Sequence, residues 1–404
     1  MRELLGIRAM PAYFLAATLA RVGDEMVAFT LVLLVLERTD SAALAGITGA
    51  AYALPAVITG PLLGAWLDRT AYRRTALGVN QAVLGAVMLS LLFITGHGPA
   101  WTTPALAAVA GVTLPMVSGG FTSMLPTLVP GRLLAEANRW EAASFGAATI
   151  TGPAAAATIA AAVSVDAAVL VITVTATLSI FAIARLPALP AAVTADDREP
   201  FLTSVVGGLK HLARTPPLRA STISSTMLMG AVGILLITLP LHMTTLGAPR
   251  SAAGYLWTAL QLGSVTTAVL LGRLQARWRP EHIVMVTVAA YGLAMTTWPL
   301  ASSFVVLVVL AAATGLIEGP MFPAMLAARQ QYSPVALQGR VSTTAASLRV
   351  GAAALGQAAG GLLVPVIGTH AALLAVALTL VAAAAVGRLS AFTTHQEPAQ
   401  VTSP

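Results

Sequence analysis

Long apolar runs, broken by short clusters of charged and turn-forming residues, dominate this chain. Twelve of them reach the roughly 20 residues that a membrane-spanning helix needs. The first six are 11–36, 42–67, 75–95, 103–126, 137–162 and 164–185. The second six are 217–244, 251–273, 281–299, 302–327, 340–365 and 369–388. The pattern predicts an all-α polytopic membrane protein of twelve transmembrane helices. Arg21, Asp24 and Glu25 interrupt the first run, which resumes at Met26, so it reads as a retained helix rather than a cleaved signal.

The longest break, Pro187–Pro216, carries Asp196, Asp197, Arg198 and Glu199 and then a stretch, Phe201–Leu212, with apolar residues near helical spacing. That stretch predicts an amphipathic helix on the inner membrane surface. It divides the chain into a six-helix bundle (1–186), a linker (187–216), a second bundle (217–390) and a tail (391–404). The halves read as a repeat. Gly46, Gly64 and Arg69 recur as Gly254, Gly272 and Arg277 at an offset of 208, and the surroundings of the fifth run recur around the eleventh at 204. Parallel six-helix repeats are one plan for secondary transporters.

Composition narrows the class. Hydrophobic residues make up 57% and charged ones 9%, against roughly 25% charged in soluble domains. A soluble enzyme is excluded. With no cysteine, disulfides, iron–sulfur clusters and cysteine-bound zinc are excluded too. The net charge of +7 is a topology signal, not a nucleic-acid footprint. Of 22 basic residues, eighteen fall on the side of the termini, Arg38 and Arg250 on the other, and Arg21 and Arg349 within spans. The bias places both termini in the cytoplasm, with the bacterial inner membrane as the expected site. Neither H-E-x-x-H, a P-loop nor a nucleophile elbow occurs. No enzyme activity, cofactor or metal is implied, and a monomer in the bilayer is expected.

The remaining charges inside spans are the informative ones. Arg21, Asp24 and Glu25, at i, i+3 and i+4, share one face of the first helix. A central charge costs about 2.5–3.5 kcal/mol on insertion scales, so three persist by pairing or by facing water. Pairing Arg21 with one acid leaves the other unpaired, and burial favours the neutral form of an unpaired carboxylate. That is the chemistry of a proton carrier; the alternative is a static ion pair. Glu318, before Gly319-Pro320, suits a cationic substrate or a shared proton role, or else pairs with Arg349. Glu141 and Arg139 read as interfacial. Tyr52, Asn80, Gln81, Trp257, Gln261, Phe322 and Gln357 are candidates for a pocket, with Met26, Met227, Met229 and Met321 as an adaptable wall. A mostly apolar pocket of that kind is poor equipment for a sugar.

After the second run the chain reads Gly64-Ala65-Trp66-Leu67-Asp68-Arg69-Thr70-Ala71-Tyr72-Arg73-Arg74. This resembles the G-x-x-x-D-R-x-G-R-R loop of the major facilitator superfamily, matched at Gly64, Asp68, Arg69 and Arg73. Ala71 replaces the second glycine. Gly64 and Asp68 lie on one helix face, so a carboxylate there can meet the positive end of a neighbouring helix. The resemblance implies that this neighbour is helix eleven and that Asp68 latches the outward-open state; the alternative is that the arginines only enforce topology. Gly152-Pro153 in the fifth run is similar to the G-P-x-x-G-G motif of the superfamily's drug:proton antiporters, with Ala156-Ala157 at the closing pair. The first helix, and the turn Thr39-Asp40-Ser41, resemble the macrolide and siderophore efflux branch. One departure stands out: Leu114–Phe121 lacks the basic residue that antiporters often carry in helix four, so Arg21 or Arg349 would have to supply it.

The expectation is a proton-coupled exporter of small amphipathic or cationic compounds working by alternating access. Asp24 and Glu25 exchange protons, Arg21 tunes them and Glu318 assists with substrate. The alternatives are an importer of a nutrient or metabolite, and a transport-inactive sensor or scaffold.

Overall fold

The computed structural model describes residues 2–70, 72–187, 201–275 and 277–392. Its described residues are helical almost throughout. In the first half, α1 is Met10–Thr39, α2 Ala42–Arg69, α3 Arg73–Ile94, α5 Gly131–Ala162 and α6 Val165–Ile183. Between them α4 comes in pieces, Thr102–Gly111, a π segment Met116–Gly120 and a turn Leu125–Leu128. In the second half, α7 is Pro216–Thr245, α8 Ala253–Gln275 and α9 Pro280–Met295. Helix α10 is split into Phe304–Glu318 and Met321–Tyr332 around Gly319-Pro320. Helices α11 (335–367) and α12 (369–392) part at Gly368, whose φ of 78° only glycine adopts readily.

Nine helices among the described residues are long and apolar enough to cross a membrane by composition alone. Three local facts bring the count to the twelve expected. Helix α1 carries too many charges to qualify, α4 is broken, and α11 runs into α12 without a loop. The break in α4 was invisible in its apolar pattern. Pro115 offers no N–H to the preceding turn, and the chain answers with a π segment. The turn between α1 and α2 is equally local. Asp40 takes the left-handed conformation at φ 51°, and the Ser41 hydroxyl caps α2 by accepting from the Leu44 amide at 3.1 Å.

Glycines set the helix crossings, and they do so twice. On α2, Gly46 lies against the Gln357 carbonyl and Gly361 of α11. At the position 208 residues later, Gly254 of α8 lies against the Pro153 carbonyl and Ala157 of α5. Those two partners sit 204 residues before Gln357 and Gly361. Likewise Gly111 of α4 meets the Tyr52 carbonyl of α2, and Gly315 of α10 meets that of Leu260 in α8. The offsets seen in the sequence are therefore offsets between equivalent helix contacts, as expected of small residues that let backbones approach. Large apolar side chains such as Phe93, Val269, Leu270 and Val366 stay exposed on the outer faces. In water they would be a liability; against lipid tails they are at home.

The stretch Phe201–Arg214 is a helix, and one face of it is docked on protein. Gly208 lies against the Arg340 carbonyl and the Thr344 hydroxyl, and Leu212 packs with Leu218, Ala328 and Val341. Val206 and Leu209 on its other side remain exposed. The acidic run Asp196–Glu199 and the tail from residue 393 lie outside the described residues.

Candidate substrate and proton site

A cavity of about 520 Å³ lies where helices of both halves meet at mid-depth. Glu25 and Phe29 of α1 and Thr149 and Pro153 of α5 form one wall. The facing wall includes Met229, Trp257, Gln261, Tyr291, Glu318, Met321, Phe322, Arg349 and Gln357. Of the pocket candidates, Trp257, Gln261, Phe322 and Gln357 line this space, together with Glu318 and Arg349. Tyr52 does not: it is buried in α2 and donates its hydroxyl to the Asp24 carboxylate at 3.2 Å. Of the methionines, Met229 and Met321 reach the cavity, while Met26 is packed in the core. Asn80 and Gln81 are buried in α3 away from it.

Asp24 faces a second cavity of about 420 Å³, on the side of the chain termini, together with Arg21, Phe145 and Ser347. Glu25 borders both spaces. The charged triad of α1 is therefore divided. Arg21 does not pair with Asp24 or Glu25: its guanidinium is ion-paired with Glu141 of α5 and donates to the Ser144 hydroxyl at 2.7 Å. It also lies over the Phe145 ring at 5.5 Å, in cation–π range. Glu141, expected at the membrane interface, is instead 5% exposed and accepts a further hydrogen bond from Thr122 at 2.9 Å. The sequence held a signal for this. Leu133, Ala137, Glu141, Ala148 and Gly152 form the buried stripe of α5, and positions 141 and 152, three turns apart, share a face.

Glycine 152 fixes how close the two helices come. A side chain there would begin 2.5 Å from the Glu25 Cβ and 3.1 Å from its carbonyl carbon. Pro153 follows, with no N–H to give the Thr149 carbonyl, and its own carbonyl is against Gly254 of α8. The Gly152-Pro153 pair thus joins α1 to the second half at the level of the acid.

Glu318 and Arg349, weighed as a cross-helix ion pair, do not form one. Among the described residues no salt bridge within 4.0 Å includes Glu318, Arg349, Glu25 or Asp24. Arg349 directs a nitrogen at the Met229 sulfur at 3.7 Å, and its Nε is buried without a partner. One Glu318 oxygen is buried in the same condition, as are Trp257 Nε1 and Gln357 Oε1.

The end of the bundle remote from the termini is shut. Arg250 donates to Asp40 at 2.6 Å and to the Leu36 carbonyl at 2.8 Å, tying the two halves. Thr158 and Tyr255 add a hydroxyl pair at 3.0 Å. Of the expected latch, Arg73 is buried and donates from Nε to the Leu67 carbonyl at 2.9 Å. The side chains of Asp68 and Arg69, and the surroundings of Gly64, lie outside what is described.

The repeat of contacts about a central cavity has a counterpart in known proteins. A sequence profile of the Major Facilitator Superfamily matches residues 13–247 and 221–403. The chain belongs to this superfamily. Within it, an uncharacterized MFS-type transporter of Sinorhizobium fredii, y4rN, is 29% identical over 379 residues, 90% of each chain. The multidrug efflux pump Tap of Mycolicibacterium fortuitum is 27% identical over 375 residues, 90% of this chain and 91% of that one. Its namesake in Mycobacterium tuberculosis is 28% identical over 392 residues, covering 92% and 91%. Among solved structures, a mutant of the nucleoside transporter NupG superposes with a TM-score of 0.77 at 12% identity, over 94% of this chain and 98% of that one. A bacterial homologue of the lysosomal transporter Spinster, inward-facing and unoccupied, gives 0.72 at 12%, over 95% and 96%. These structures share the superfamily's all-α fold of twelve transmembrane helices in two pseudo-symmetric six-helix bundles. The protein is a multi-pass membrane transporter.

Proposed function

We propose that this superfamily member is a proton-coupled exporter of small amphipathic or cationic compounds, acting by alternating access. The observation that carries the reading is the pair of acids facing one apolar cavity from opposite halves, Glu25 and Glu318, neither in an ion pair. A carboxylate withdrawn from water and left without a counter-ion has two ways to be neutral, a proton or a cationic ligand. Competition between the two is antiport. Glu25 is suited to it, because it borders the substrate cavity and the cavity of Asp24 at once. Asp24, held by Tyr52, is the relay to Glu25. Arg21, bound to Glu141, acts on both acids by anchoring α1 to α5 and not by pairing with them.

The division into bundles at 1–186 and 217–390, rocking about the cavity, supplies the alternation. With the termini in the cytoplasm of a bacterial cell and the chain working as a monomer in the inner membrane, the described state opens inward. In this state Arg250–Asp40 is the outer closure. The opposite state is latched by Asp68, with Gly64, Arg69 and Arg73 around it. The likeness to the Tap efflux pumps favours export over uptake.

The test is purified protein in liposomes under an imposed pH gradient, offered dyes, antibiotics and sugars. Gradient-driven movement of an amphipathic cation, lost in Asp24→Asn or Glu25→Gln, is the expected result. Sugar uptake that ignores both carboxylates overturns the proposal.

A further inference from the structure

The central cavity holds two acids and one base, and none of the three is paired. Glu318 on α10 and Arg349 on α11 present opposite charges from the same half, and Glu25 faces them from α1. All three side chains are partly buried, and one Glu318 oxygen and the Arg349 Nε are fully withdrawn without a partner. Charges held from water are tolerated when something compensates them, and among the described residues no salt bridge within 4.0 Å does so for any of these. The nearest polar contact of Arg349 is a thioether sulfur, a weak acceptor. In a static structural pair the two side chains would touch.

We infer that the cavity is built for a zwitterionic amphipath, with Arg349 receiving the anionic group and Glu318 the cationic one. This inference rests on the exporter reading above, and charge arithmetic connects the two. With proton exchange given to Glu25, Glu318 and Arg349 are the one negative and one positive group left on the facing wall for the substrate. Their complement is a ligand carrying both signs. A simple lipophilic cation satisfies Glu318 and leaves the guanidinium without an acceptor, which is the costly arrangement. A guanidinium is also the cation best matched to a carboxylate, through two parallel N–H···O bonds. The apolar wall of Phe29, Met229 and Met321 takes the carbon frame.

Two dyes on one frame test the inference. Rhodamine B carries a cationic ring system and a free carboxylate; its ethyl ester keeps the cation and loses the anion. The full chain in detergent, near neutral pH, is titrated with each. Rhodamine B is expected to bind about tenfold tighter, the worth of a modest charge-assisted interaction. Arg349→Gln is expected to bring rhodamine B to the level of the ester, and Arg349→Lys to retain a preference. Equal or tighter binding of the ester, or a preference that survives Arg349→Gln, overturns the inference. If Arg349→Gln does not fold, the wild-type comparison alone decides. Gradient-driven transport of both dyes separates the two claims. Transport of the ester with no preference for the zwitterion sinks the inference and leaves the exporter. A tenfold binding preference with no gradient-driven movement of either dye supports the inference and sinks the exporter.

Discussion

Arg21 of α1 is ion-paired with Glu141 of α5, and both side chains are almost wholly buried. The pair also gathers Ser144 and Thr122, so α1, α4 and α5 meet at one polar knot. Removing one partner leaves a guanidinium in an apolar bundle with no counter-ion. Breaking a buried pair in this way costs about 3–5 kcal/mol. Glu141→Gln is therefore expected to lower the unfolding midpoint in detergent strongly, while Arg139→Gln, on the same helix but outside this network, leaves it near wild type. An unchanged midpoint in Glu141→Gln would show that the pair is not structural.

The contact of Gly152 with Glu25 makes a different demand. Gly152→Leu inserts a side chain where the α1 backbone already stands, and overpacking of this kind costs about 1–3 kcal/mol. The protein is expected to fold, because α1 can move outward. Transport is expected to fall at least about tenfold, because the movement displaces Glu25 from both cavities. Gly152→Ala should lie between the two. Initial rates in liposomes, set beside the thermal midpoint of each variant, give the answer.

Closure at the far end rests on an exposed pair. The Asp40 side chain is 82% exposed, so its link to Arg250 is worth only about 0.2–1 kcal/mol and is screened by salt. Arg250→Ala should leave stability alone and raise the population open at that end by up to about fivefold. The chain has no cysteine, which makes this simple to read. Ala50→Cys, buried between α2 and α11, should react with maleimide up to about fivefold faster in the Arg250→Ala background. Equal rates would mean that the glycine crossings and the Thr158–Tyr255 pair hold this end shut without Arg250.

Glycine pairing yields a prediction about symmetry. Gly46 and Gly254 occupy equivalent crossings against α11 and α5. Gly46→Leu and Gly254→Leu are expected to slow transport by similar factors, since each keeps one pair of helices from closing. A large effect of only one would show that the two halves do not move as equivalents.

Much of this arrangement was legible in the sequence, for a definite reason. Hydropathy reports depth in the membrane, and so the twelve spans and the stranded charges could be read directly. What it does not report is azimuth, the direction in which a residue leaves its helix. Arg21 stands out in the sequence as a charge within an apolar run, but its partner depends on the rotation of α1 against α5. The three-turn interval from Glu141 to Gly152 held that information, and it became readable only once Gly152 was known to face α1. Glu318 and Arg349 were foreseen as possible partners, yet side chains of this reach can stop short of each other around a space. The break in α4 escaped because an apolar run looks the same whether or not Pro115 interrupts its hydrogen bonds.

The central claim is that substrate binding displaces a proton from Glu25, and the most direct measurement is proton release on binding. Purified protein in weakly buffered detergent near neutral pH is mixed with tetraphenylphosphonium, and the pH is followed. The account predicts release of protons from the wild type and a marked loss of that release in Glu25→Gln. Saturating binding with no proton released, or a release that Glu25→Gln leaves unchanged, would contradict it.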